Sequence, residues 1–344
     1  KTGDEEGDMP VGGEFDLIRK IRKRVGAPKP RTIIGIGDDA AVIEPGGDLL
    51  LFTADIFFED VHFRRRFTSA RDLGAKCMIA NVSDIAAMGG FPTKAAVSLC
   101  VPADFPDEDL DALYDGMIEV LDRHGAEIVG GDIVASPSGL VVSVALLGAA
   151  DKERVIRRSG AIEGDVVIVT GDLGASEAGL ITLEKELPED DDVAAVRDRH
   201  LRPDCRVGEA QAIIDVATPH AMIDLSDGLS SDVRHIADES GAGVVVHEAK
   251  IPISPATRRV ADRLGLDPVE LALSSGEEFE LAVAIPASEL ERTREHVRAV
   301  TGTPVTAIGE FVAESEGCTI ESASGSREEL ARTGYEHLRD VDGR

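Results

Sequence analysis

The chain of 344 residues has no tryptophan and only two tyrosines, and aromatic residues make up 3% of it. Its cores must therefore be built from Val, Ile, Leu and Ala, which supply 43% hydrophobic content together with the other apolar types. Cysteine is equally sparse. Cys77, Cys100, Cys205 and Cys318 are far apart and form no CxxC pair, which excludes a zinc ligand set or a secreted disulfide framework and predicts free thiols in a reducing, cytoplasmic compartment. No apolar run reaches the ~18 to 20 residues that span a bilayer, and the first residues, KTGDEEGDMP, lack a signal-peptide core. Basic residues are outnumbered, 36 Lys and Arg against 65 Asp and Glu, for a net charge of −29. Such a field disfavours nucleic acid and anionic membranes, which call for a basic footprint. It would also repel an anionic substrate, so an acidic enzyme that handles phosphates needs metal. High-salt adaptation and ordinary solubility both account for the charge itself.

The length suggests about two domains. In the first half, LLFTADIFF reads as a strand, ARDLGAKCMIANVSDIAAM as a long helix, TKAAVSLCV as a strand, DEDLDALYDGMIEVLDRHG as a helix stopped at glycine, and SGLVVSVALLGAA as a strand. A charged crossover between Asp151 and Gly160 separates this unit from a second, which carries strand-like GDVVIVT, GVVVHEA and ELAVAIP and a helical GEAQAIIDVA. The expected domains are residues 1–150 and 151–344, both mixed α/β. EFDLIRKIRKR predicts a short amphipathic helix with a basic stripe of Arg19, Lys20, Arg22, Lys23 and Arg24, a solvated face or a phosphate patch. The acidic run LPEDDDVAAVRDRH reads as a solvated excursion.

Carboxylates recur at places where the chain turns. Asp38 and Asp39 in GIGDDAAV, Asp55 after FTA, Asp84 in NVSDIAAM, Asp132 in VGGDI, and Asp224 and Asp227 in IDLSDGL each stand beside Gly, Ser or a strand end. One of them alone is a charged turn or a helix cap. Together they fit Mg²⁺, which takes hard oxygen ligands and binds through few carboxylates plus substrate phosphates. The glycine-rich TGDLGASEAGL could offer backbone N–H groups to an anion, although it has neither Walker A nor Rossmann spacing. His62 and Arg158 are a surface histidine and a basic turn, or contacts to substrate and nucleotide phosphate. No Ser-His-Asp order and no cysteine nucleophile stands out, so no protein nucleophile is expected.

The segments EFDLI, GIGDDAAV, TADIFFEDVHF, NVSDIAAMGGFP, GGDI, GDLGASEAGL, HLRPD, IDLSDGLSSD and SSGEEFEL follow one another in an order that resembles the thiamine-monophosphate kinase family, within the aminoimidazole ribonucleotide synthetase superfamily. The resemblance implies two mixed α/β domains, a homodimer, and transfer of the ATP γ-phosphoryl group to thiamine monophosphate with several Mg²⁺ ions, without nucleic acid or membrane. It implies Asp39, Thr53, Asp55, Asp84, Asp132, Asp224 and Asp227 as metal ligands, with Asp39, Asp55 and Asp84 as the leading organisers of catalysis and Asp38 as support. Gly131, Asp132, Arg158 and Ser226 would contact nucleotide, and His62 and Glu277 the substrate. The family's TD is AD here, at Ala54; its GGDT is GGDI, at Ile133; its SGGEDYEL is SSGEEFEL, with Ser275, Glu278 and Phe279. Two other functions are compatible with these residues: another ATP-dependent synthase or maturation enzyme of the superfamily, or a noncatalytic nucleotide or thiamine-phosphate binder.

Overall fold

A computed structural model describes residues 32–34, 38–44, 49–331 and 333. The expected basic helix near Arg19 to Arg24 and the Gly35–Gly37 part of GIGDD lie outside the described residues. Two sheets organise the rest. The first has six strands in the order β1-β2-β3-β6-β4-β5: β1 Thr32–Ile34, β2 Ala41–Ile43, β3 Leu49–Phe58, β4 Phe91–Pro102, β5 Glu127–Ser136 and β6 Val141–Ala150. Strict inside–outside alternation along β6, VVSVALLGAA, gives the sheet one buried face. Its other face leaves Phe52, Ile56 and Phe58 of β3 exposed.

Against the buried face lies α1, Ala70–Ala87. Ser69 caps it by accepting from the Asp72 amide at 3.1 Å while its hydroxyl donates to the Asp72 carboxylate at 2.6 Å. The helix is apolar on nearly every side because it is covered by the first sheet and α2 (Asp107–Asp122) and also by the second domain. Two glycines let the helices touch: a Cβ on Gly74 would sit 1.9 Å from the Leu113 carbonyl oxygen, and one on Gly116 2.0 Å from that of Arg71.

The second sheet has seven strands, ordered β13-β12-β9-β11-β7-β10-β8, with β7 Asp165–Thr170, β8 Ala221–Asp224, β9 Ala242–His247, β10 Leu281–Pro286, β11 Val305–Ala313, β12 Cys318–Glu321 and β13 Arg327–Glu329. Its neighbours are antiparallel except β12 beside β9. Helices α3 Ala175–Glu184, α4 Asp191–Leu201, α5 Val207–Val216 and α6 Leu229–Ser240 follow in chain order. The first domain's core continues into Val207, Ala210, Ile213 and Met222, so the interface between the sheets is apolar and α1 lies within it.

The acidic run is not an excursion. Asp190 caps α4 by accepting from Asp192 and Val193 amides, and Val193, Val196 and His200 form a buried stripe on the far side of the helix, packed on α3. The acids mark a helix start and its outer face, where they favour the dipole.

Candidate active site

Packing α1 between the sheets brings distant acids together. Asp39 comes from the bend before β2, Thr53 and Asp55 from the inward face of β3, Asp84 from the last turn of α1, and Asp224 from the end of β8. Single carboxylate oxygens of Asp39, Asp84 and Asp224 lie within 4.8 Å of one another. Thr53 Oγ1 donates to Asp84 at 2.5 Å, and Ser83 Oγ donates to Asp224 at 2.7 Å. Burial first, then the charges of Asp55, Asp224 and Asp39, holds Asp84 well above the usual carboxylate range. Asp224 is pushed the same way by burial and then by Asp39. Asp55, raised to about 6 by burial, and Asp38, raised to about 6 by burial and then by Asp39, complete the acidic wall.

Among the described residues Arg158 is the basic group bonded into this wall, and its single charge does not neutralise it. Arg158 Nη2 donates to Asp39 Oδ1 at 2.6 Å, and the Arg158 amide donates to Asp38 at 3.3 Å. Asp39 Oδ2 remains buried with no hydrogen-bond partner, as does Arg158 Nε. Three converging hard oxygens, from a group in which Asp39 also keeps a buried unsatisfied oxygen, are the donor set of a divalent cation such as Mg²⁺. A second group, Asp227, Asp232 and His235, also brings ligand atoms within 4.8 Å. There Asp232 accepts from the Asp227 and Gly228 amides at 3.2 and 3.1 Å.

Asp55, Asp84, Asp224 and Asp227 open on a cavity of about 770 Å³ that also exposes His62 and Glu277. That volume is in the range of small-molecule sites. His62 Nδ1 accepts from the Phe58 amide at 2.9 Å, and its ring meets Phe57 edge-on at 5.8 Å between centroids. Apolar Phe57, Phe63 and Phe67 flank this end, so the cavity has an acidic floor and an apolar side.

Residues 37–150 match the family described as AIR synthase related protein, N-terminal domain, and residues 163–320 match its C-terminal domain. The thiamine-monophosphate kinase of Bacillus subtilis (strain 168) is 35% identical over 338 residues, covering 95% of this chain and 99% of that protein. The thiamine-monophosphate kinase of Escherichia coli (strain K12) is 36% identical over 332 residues, covering 95% and 98%. The chain belongs to the thiamine-monophosphate kinase family. A solved structure of AaThiL complexed with AMPPCP and TMP superposes with a TM-score of 0.83 at 33% identity, covering 94% of this chain and 97% of that one. The hydrogenase maturation protein HypE of E. coli, at 22% identity and a TM-score of 0.71 over 95% of this chain and 98% of that one, shares the fold.

Set on this member of the kinase family, the residues named from sequence divide into two groups. Asp55, Asp84, Asp224, Ser226, Asp227, His62 and Glu277 line the cavity, while Asp39, Thr53 and Arg158 are bonded into its acidic wall. Gly131 and Asp132 are not brought there. Across the sheet Asp55 pairs with Val144, Val144 with Val97, and Val97 with Gly131, so Gly131 lies three strands from Asp55, roughly 14 Å at ~4.8 Å per strand. Asp132 follows it on the exposed edge strand, its carboxylate accepting only from the Ile133 amide among the described residues. The prediction that Asp132 ligates metal with the other acids is therefore corrected for the single chain.

The glycine-rich loop is corrected as well. The anion it holds is internal: Gly174 and Ser176 amides donate to Glu278 at 2.8 and 3.1 Å. Burial raises Glu278 to about 7. Sequence reasoning named Glu278 only as a departure from the family pattern, not as the anion held by this loop, and it missed Asp232, His200 and Lys76. The usable signal for Lys76 was a lone charge in the apolar helix GAKCMIANV.

Proposed function

We propose that this chain transfers the γ-phosphoryl group of ATP to thiamine monophosphate, giving thiamine diphosphate and ADP, with Mg²⁺. The observation that carries the reading is the Asp39–Asp84–Asp224 cluster facing the cavity, in a chain that spans its kinase relatives almost end to end. Asp39, Asp84 and Asp224 would hold Mg²⁺, with Thr53 and Asp55 beside them and Asp227 at the second acidic group. Bound there, Mg²⁺ would neutralise phosphate oxygens as negative charge redistributes in transfer. Ser226 and Arg158 serve the nucleotide, Arg158 exchanging its Asp39 partner for phosphate, which its planar fork fits. His62 and Glu277 serve the acceptor at the apolar end.

The acceptor is itself a phosphate with an ionised oxygen, so the protein need not remove a proton from it. Positioning and electrostatics then carry the catalysis, which fits a site rich in fixed charge. Asp132 and Val134 share the outer face of the first sheet with exposed Ile56, and Gly131 and Ile133 are exposed on the same edge strand; through this face and edge we propose a homodimer, and sedimentation as a monomer would count against it. For the activity, purified protein is incubated with ATP, Mg²⁺ and thiamine monophosphate and the products separated. Thiamine diphosphate is the expected product. Tight binding of both substrates with no thiamine diphosphate would overturn the kinase reading in favour of a binding protein.

A further inference from the structure

Lys76 is an ammonium group buried in the middle of α1, 3% exposed. Removing such a charge from water costs several kcal/mol unless it is paired. Its partner comes from the other domain: Nζ lies 2.6 Å from Oε2 of Glu277, 201 residues away. Glu277 lines the cavity and Lys76 stands behind it.

Glu277 is held from three directions. Its backbone is in the left-handed region, at φ 56°, where a side chain is strained unless the surroundings fix it. The Glu277 amide donates to the Ser226 carbonyl at 2.8 Å, tying the loop to the neighbouring strand end. Lys76 then takes Oε2, while Oε1 has no hydrogen-bond partner among the described residues and the side chain keeps 28% exposure. His200 Nδ1 lies 4.0 Å from Oε2 and 3.2 Å from Ser176 Oγ. Burial, and then the charge of Lys76, holds His200 well below the usual histidine range, so its ring is neutral and cannot act as the counter-ion. The cavity also presents Asp55, Asp84, Asp224 and Asp227, so its charged lining is mostly acidic, with Arg64 among the other lining residues. Lys76 is the cation that fixes one oxygen of this carboxylate and aims the other at that crowded space.

We propose that Lys76 is a positioning residue for the acceptor: by clamping Oε2 across the domain interface it presents Glu277 Oε1 to the cationic, donor-bearing rings of thiamine monophosphate. The inference rests on the placement of Glu277 at the acceptor end. Lys76→Met, Lys76→Arg, Glu277→Gln and the double variant Lys76→Met with Glu277→Gln are assayed as full chains, with ATP and thiamine monophosphate varied separately. Lys76→Met should raise KM for thiamine monophosphate about tenfold while KM for ATP stays within about twofold. Lys76→Arg should recover most of the loss, and the double variant should be about as impaired as Glu277→Gln alone, because the two act as one unit.

Equal changes in both KM values, or a lowered melting temperature with KM for thiamine monophosphate unchanged, would overturn the proposal. If Lys76→Met does not fold, Lys76→Arg and Glu277→Gln are read by the same split. Calorimetric binding of thiamine monophosphate to wild type and Lys76→Arg separates the two readings. A wild type that binds but does not turn over defeats the kinase assignment, whereas unchanged binding in Lys76→Arg and Glu277→Gln defeats the role of Lys76.

Discussion

Adjacent aspartates have different work because their partners differ. Asp39 directs one oxygen to Arg158 at 2.6 Å and leaves the other buried and unsatisfied, whereas Asp38 receives the backbone amides of Asp39 and Arg158 at 3.1 and 3.3 Å. The first can give an oxygen to a cation; the second shapes the bend. Asp39→Asn should lower Mg²⁺-dependent turnover by ~100-fold or more, since one charged ligand is lost where charge is neutralised in transfer. The fold should persist, because asparagine still accepts from Arg158; turnover within about twofold of wild type would remove Asp39 from the site. The acid itself was legible in GIGDDAAV, beside glycine and ahead of a strand. Its pairing with Arg158 was not, because 119 residues separate them and only the packed interface joins them. His200 was hidden for the opposite reason: it closes a run of charge that reads as surface, while its neighbours Val193 and Val196 mark the buried side of the helix.

Strand alternation and helix stops made most elements legible, β6 and α1 above all. The glycines of β5 concealed a strand, and the acids of α4 concealed a packed helix, since composition alone favours loop in both places. The start of α3 shows how an element can satisfy itself. Its amides would attract an outside anion, yet Glu278 accepts from Gly174 and Ser176 and also from Ser275 Oγ at 2.6 Å. Glu278→Gln retains an acceptor oxygen at the helix start and should change stability little. Glu278→Ala leaves three buried donors without a partner and should cost about 1–3 kcal/mol in urea unfolding. Equal effects of the two substitutions would show that side-chain volume, and not these hydrogen bonds, holds the α3 loop.

At the scale of the whole molecule, the chain carries a net charge of −29, and the buried acids at the cavity couple protons, metal and stability. Asp38 and Asp55 are raised to about 6 from an ordinary value of 3.8, both by burial first, and Asp84 and Asp224 are raised further still. The folded chain therefore holds these protons more tightly than the unfolded chain does. Without metal, their contribution to stability is fully present below the unfolded value and fades as pH rises through about 6 for Asp38 and Asp55. Mg²⁺ requires the same oxygens deprotonated, so its binding displaces protons and strengthens as pH rises. The rise in melting temperature between a chelated sample and one saturated with Mg²⁺ should thus be larger at about pH 7.5 than at about pH 5, with protons released on titration. Asp39→Asn should shrink that difference. A Mg²⁺ effect that is the same at both pH values, or larger in acid, would mean that the ion sits elsewhere and that the buried acids are held by protons instead.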